Sequence, residues 1–132
     1  MPSRKLSDLD PRFRPIAELI LATCKARGVE LLVTCTLRTR GEQAGLYAQG
    51  RTKPGMRVTN AKPGQSAHNY GLAMDVVPII AGKAVWNAKH PHWRVYGEVV
   101  QECGAVWGGT FRSVRDLPHC EAPNWRAIIG SA

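Results

Sequence analysis

Apolar residues at positions 13, 16, 17, 20, 21 and 24 of "DPRFRPIAELILATCKARG" recur at helical spacing. Asp10 is the expected N-cap, Pro11 falls in the first turn and Gly28 is the stop. The next apolar run, "VELLVTCTL", is rich in β-formers and predicts a buried strand. "GEQAGLYAQG" predicts a short helix closed by Gly50. Residues 51–70 carry two breaks, Pro54-Gly55 and Pro63-Gly64, and predict an ordered loop rather than an element. "LAMDVVPI" then reads as a strand, with "KAVW" paired to it as a hairpin across Ala81-Gly82. "PHWRVYGEVVQECG" predicts a second long helix, with Pro91 near its start and Gly104 at its end. "AVWGG" and "PHCEA" predict short strands, and "NWRAII" a last helical turn. Helices placed first and between strands predict an α+β domain, its small and mostly antiparallel sheet flanked by helices. The loop at 51–70 is long for such a chain, and loops of that length commonly carry function.

Composition adds bounds. The chain has 132 residues, which predicts a single domain over 1–132 with no second module. Eighteen Lys and Arg against ten Asp and Glu leave a net charge of +8, which favours an anionic partner. The charges are scattered, and aromatics are not interleaved with them, so nucleic acid is not the expected partner. No apolar run approaches the ~18 residues of a membrane span, so no stable membrane insertion is expected. The first residues do not look like a signal peptide. The chain is therefore expected to be made in a reducing cytosol, with its four cysteines as free thiols. Cys24 and Cys103 fit helix cores, Cys35 a strand core and Cys120 the core as well.

Candidate chemistry begins in "TNAKPGQSAHNYGLAMDVVP". An acid in mid-strand, Asp75, is costly to bury without a partner. Alternation puts Ala73, Asp75 and Val77 on one face, and the small Ala73 leaves room above the carboxylate. Gly71 lets the chain turn sharply, so that His68 folds back toward Asp75. The two form either an ion pair or two ligands of one metal. In "DLPHCE", Pro118 marks a strand start or edge, with His119 after it and Asp116 before. Two histidines and one carboxylate, with a further acid nearby, have the composition of a catalytic zinc site and its general base. Asp116 equally fits a turn ahead of proline. His90 and His92 form an H-x-H, read here as exposed histidines that bind nothing.

"SAHNYGLAMD" fits the S-x-H-x-x-G-x-A-x-D signature of the zinc D,D-carboxypeptidase and L-alanyl-D-glutamate peptidase family, the VanY-like M15 peptidases. "DLPHCE" resembles the family's second signature, and "LRTRGEQAGLYAQGRTKPGMRVTNAKPGQSAHNYGLAMD" and "WGGTFRSVRDLPHCE" look like its phage endolysin branch. The resemblance covers residues 10–121. It implies a Hedgehog/D,D-peptidase-like fold and one Zn²⁺ held by His68, Asp75 and His119. It further implies Asp116 as catalytic base and Arg38 as the group that polarises the scissile carbonyl or steadies the oxyanion; Glu121 is the next candidate base should Asp116 not fill that role. Gln43 orients Arg38 or binds substrate, and Ser66 binds substrate or holds the loop. Tyr70, Trp107 and Trp125 are candidates to wall the cleft. Two departures stand out: Cys120 replaces an expected aromatic, and "WGGTF" lacks an acid often found after the glycines.

The activity so implied is hydrolysis of the L-Ala–D-Glu bond of peptidoglycan by a monomeric endolysin, released from the host cytoplasm through a holin and lysing the cell. A bacterial recycling or tailocin-associated enzyme is the other setting. A D-Ala-D-Ala carboxypeptidase or dipeptidase is the alternative within the family. An inactive zinc-containing binding module is the alternative outside it, and such a module need not keep Asp116 or Arg38.

Overall fold

The structure, a computed structural model, describes residues 1–130. Its centre is strand β2 (Ala73–Ile80), buried from Ala73 to Pro78 except at the half-buried Asp75. Strand β1 (Glu30–Cys35) pairs along one side of it and β5 (His119–Glu121) along the other; β4 (Val106–Trp107) extends the sheet beyond β5. All these pairings are antiparallel. The short β3 (Lys83–Ala84) turns back on the far end of β2 across Ala81 and Gly82, whose φ angles are 52° and 77°. Positive φ at both central residues gives a turn whose twist matches the strands it joins.

Helices α1 (Arg14–Ala26) and α3 (Pro91–Glu102) pack on each other. They bury Ala17, Ile20 and Cys24 from one and Trp93, Tyr96, Val99 and Val100 from the other. Met74 and Cys120, opposite one another in β2 and β5, belong to this core. The period-2 alternation then turns their neighbours Asp75 and His119 to the other face. Helix α2 (Arg40–Ala48) begins with a capping box, in which Thr39 and Glu42 satisfy each other's backbone N–H groups at 3.1 and 2.8 Å. The chain's last described element is α4 (Trp125–Gly130).

Three local expectations are corrected. Helix α1 starts at Arg14 with Pro15, not Pro11, in its first turn, because the Asp10 carboxylate accepts the Arg12 N–H (2.8 Å) in a preceding turn. Cys103 caps the end of α3 and is half-buried instead of sitting in a helix core. His90 and His92 are half-buried, and His90 Nδ1 caps α3 by accepting the His92 N–H. The four cysteines are free.

Gly97 marks where α3 meets the sheet: a Cβ there would overlap the Trp107 ring. Gly97→Ala should gain about 1 kcal/mol of helix propensity but lose about 1–3 kcal/mol to overpacking. The expected outcome is a lower melting temperature by circular dichroism. A melting temperature at or above the wild-type value would show that the ring yields freely.

Candidate metal and catalytic site

Asp75 is paired across the sheet with His119 on one side and Cys35 on the other. A bulge between Val33 and Cys35 sets the second pairing: Val33 lies opposite Val76, and the extra residue Thr34 lets Cys35 face Asp75. His68 arrives from a separate element, the 3₁₀ turn Ala67–Tyr70. Ser66 opens that turn by accepting the His68 N–H (3.3 Å), and Gly71 closes it at φ 68°. A side chain on Gly71 would also press within 2.9 Å of the Asp10 N–H, so glycine is required twice over. The His68 carbonyl accepts the Arg38 N–H at 2.9 Å, which ties the turn to the segment after β1.

The side chains converge on one point. His68 Nε2 and His119 Nδ1 each lie 3.1 Å from Asp75 Oδ1, and 3.2 Å from each other. Both rings are almost fully buried, and their outer nitrogens are engaged. His68 Nδ1 donates to the Thr36 carbonyl (2.8 Å), and His119 Nε2 donates to Glu121 Oε1 (2.7 Å). In neutral rings this leaves a bare lone pair on each inner nitrogen, both aimed at a carboxylate oxygen. Three such atoms at this spacing are held together either by protons on the imidazoles or by a metal cation between them. Burial alone raises the Asp75 carboxyl, but the His68 charge and the hydrogen bonds from both histidines outweigh it and hold it far below its usual range. Burial likewise lowers His68, yet Asp75 and Cys35 carry it up to about 10, and His119 is raised for similar reasons. Zinc bonds of about 2.0–2.2 Å in a tetrahedron separate ligand atoms by roughly 3.3–3.5 Å, within a few tenths of an ångström of these distances. The donor set fits a zinc ion, with second nitrogens oriented as metal-bound histidines usually are.

Arg38 stands beside this cluster. Its Nη1 donates to Gln43 Oε1 (3.0 Å), and its Nη2 lies 3.9 Å from Asp75 Oδ2 and 3.7 Å from Cys35 Sγ. Its Nε is buried with no partner among the described residues. Asp116 faces the cluster from the loop before β5, its carboxylate within 4.8 Å of the Asp75 and His119 donor atoms. The Asp116 backbone N–H donates to the Gly108 carbonyl at 3.0 Å, and a Cβ on Gly108 would overlap the Asp116 carbonyl. Asp116 is exposed at the cleft, yet the protein packed around it and the nearby Asp75 charge push its carboxyl up. These groups line a chamber of about 470 Å³, which runs into an outer groove of about 810 Å³. Phe111, Asp116, Trp125 and Arg126 line both.

Three expected substrate contacts are displaced. Gln43 is fully buried, with its amide held by Arg38 and by the Ala61 carbonyl (2.8 Å), so it orients Arg38 and pins the loop instead of meeting substrate. Tyr70 lies behind the wall, donating to the Gly64 carbonyl (2.7 Å) and stacking on Trp125, which does line the cleft. Trp107 donates to the Leu117 carbonyl (2.9 Å) and packs over Gly97 and Gly109, outside the lining. Ser66 lines the chamber. Cys35, expected in the strand core, borders the cluster with Sγ 3.5 Å from His68 Nδ1. Glu121 supports His119, a role legible in hindsight because residues two apart on a strand share a face.

Two histidines and a carboxylate converging beside a further acid and an arginine have the composition of a zinc hydrolase site. Residues 59–122 match the family described as D-alanyl-D-alanine carboxypeptidase. The peptidoglycan L-alanyl-D-glutamate endopeptidase CwlK of Bacillus subtilis (strain 168) is 35% identical over 123 residues, spanning 87% of this chain and 74% of that protein. The chain belongs to the M15 peptidase family, whose members are zinc-dependent. Its fold is shared with the Serratia marcescens L-Ala D-Glu endopeptidase ChiX, at TM-score 0.65 and 23% identity over 97% of this chain and 92% of that one. The Zn(II)-bound vancomycin-resistance D,D-pentapeptidase VanY also shares it, at TM-score 0.65 and 17% identity over 92% and 76% of the two chains.

Replacing Glu121 by Gln removes the charge behind His119 while keeping its shape. Zinc affinity, measured by chelator competition, should fall by about 10–100-fold with the melting curve little changed. An unaltered affinity would separate Glu121 from the metal site.

Proposed function

We propose that this chain hydrolyses the L-alanyl–D-glutamyl bond of peptidoglycan stem peptides, with His68, Asp75 and His119 as zinc ligands. Zinc held there supplies Lewis-acid polarisation of the scissile carbonyl and makes water more acidic. Asp116, beside the donors and at the junction of chamber and groove, takes the proton of the attacking water and returns it to the leaving amine. Arg38 lines the chamber beside the donor cluster, and its guanidinium is the fixed cation available to the carbonyl oxygen as charge develops on it. Gln43 accepts from one arm of that guanidinium and so positions it, and the planar fork makes Lys a poor substitute.

The observation that carries the choice of bond is the outer groove. A carboxypeptidase releases one terminal residue and needs little space beyond the leaving nitrogen. Here the space beyond Asp116 continues past Ser113, Val114 and Ile129, which suits a peptide that runs on. The activity named for CwlK supports the same choice. No described helix is long and apolar enough to cross a membrane. The net charge of +8 suits an anionic wall. A lytic role belongs to the proposal: a monomeric phage endolysin, made in the host cytoplasm and reaching the wall through a holin.

His68→Ala should lose both bound zinc and wall hydrolysis while remaining folded; a full zinc equivalent with full activity would move the site elsewhere. Asp116→Asn should keep its zinc but lose at least ~100-fold in turnover. Mass spectrometry of digested peptidoglycan should find new D-Glu amino termini. Release of D-Ala alone would favour the carboxypeptidase.

A further inference from the structure

The proton that completes the reaction must reach the leaving nitrogen, and on the proposed function that nitrogen belongs to D-glutamate. Asp116 therefore marks the leaving-group side of the scissile bond, and the outer groove it borders receives that residue and the rest of the stem peptide. D-Glutamate in a stem peptide is extended through its side-chain carboxyl, which leaves its α-carboxylate free, one carbon from the departing nitrogen. A negative charge must therefore be accommodated close to Asp116, itself an acid. A cation lining the same part of the cleft is the physical requirement.

Arg126 meets it. It lines both the chamber and the outer groove, whereas Arg57, the groove's other cation, lines only the outer part. Its guanidinium lies 4.4 Å over the Trp125 ring. That ring is buried and stacked on Tyr70, so the cation rests on a fixed platform. None of the ion pairs among the described residues involves Arg126. Other arginines near the cleft are occupied: Arg51 donates to the Tyr47 and Thr59 carbonyls, at 2.7 and 3.0 Å, and Arg40 lies against Tyr70.

We infer that Arg126 is a specificity-determining residue, its guanidinium laid over Trp125 to pair with the free α-carboxylate of the D-glutamyl residue whose nitrogen is released. This rests on the proposed function and deepens it. A consequence is that a carboxylate clamp does not by itself distinguish the endopeptidase from a carboxypeptidase. A terminal D-alanine presents its carboxylate in the same relation to the leaving nitrogen. The distinguishing feature is the groove beyond, which takes the continuing chain.

The test compares two synthetic peptides, N-acetyl-L-Ala-D-Glu extended through its side-chain carboxyl, one with the α-carboxylate free and one with it as the carboxamide. Wild type, Arg126→Gln and Arg126→Lys are assayed for kcat/KM, each with its zinc content checked. Wild type should prefer the carboxylate by about tenfold, between an exposed ion pair and a charged hydrogen bond in a cleft. Arg126→Gln should lose that preference, its kcat/KM falling about tenfold more on the carboxylate than on the carboxamide, and Arg126→Lys should recover part of it. An undiminished preference in Arg126→Gln, equal losses on both peptides, or no preference in wild type would each overturn the assignment. Cleavage of neither peptide by zinc-loaded wild type would instead defeat the choice of bond, and the assignment with it.

Discussion

A carboxylate in the middle of the central strand is the constraint on which the rest of this protein depends. Left alone at that depth, Asp75 would face a desolvation penalty on the order of several kcal/mol. It is answered from three directions: His68 from a turn before its own strand, His119 from the strand beside it, and Arg38 Nη2 at 3.9 Å. Each partner is in turn held by a further group. Thr36 fixes His68, Glu121 fixes His119 and Gln43 fixes Arg38. The cluster gathers two imidazoles and a carboxylate oxygen around one point, where protons on the rings or a bound cation balance the carboxylate. The active centre is thus the solution to a burial problem in the sheet.

Backbone details far from the metal serve the same end. Gly71 permits the reversal that returns His68 over β2, and Gly108 permits the close approach of the Asp116 loop. Tyr96, rising from α3, donates to the Pro118 carbonyl at 2.9 Å and so anchors the residue before His119. The long loop is ordered by polar anchors in place of secondary structure. Arg51 holds the Thr59 carbonyl, Gln43 the Ala61 carbonyl and Asn69 the Gly64 N–H. That arrangement leaves Val58, Thr59, Ala61 and Gln65 as one wall of the cleft. A loop of this length without such anchors would have to be ordered anew at every substrate encounter.

Much of the fold was legible because its signals are local. The hairpin at Ala81-Gly82, the helix opening at Pro91 and the two short strands of "AVWGG" and "PHCEA" each arise from spacing and turn chemistry within a few residues. The start of α1 was misplaced because a side chain, that of Asp10, competes with the backbone for the same N–H groups. The residue types of the cleft were legible too, through Asp75 in a strand and histidines beside turns. Their partners were less so. Gln43 and Trp107 are polar or amphipathic residues that suit a substrate surface or a core equally well, and sequence carries no measure of which they meet.

What the sequence determined by itself was the element order, the alternation that turns Asp75 away from the α3 core, and the family signature in "SAHNYGLAMD" and "DLPHCE". What only the tertiary structure decided was register and depth. The bulge at Thr34 exchanges which β1 side chain faces Asp75, and so sets Cys35 beside His68. The packing of Trp125 on Tyr70 carries Arg126 to the cleft. Local pattern encodes which way a residue points relative to its neighbours. Which distant residue it meets depends on how whole elements slide against one another, and a shift of one residue there reverses the face without changing the pattern.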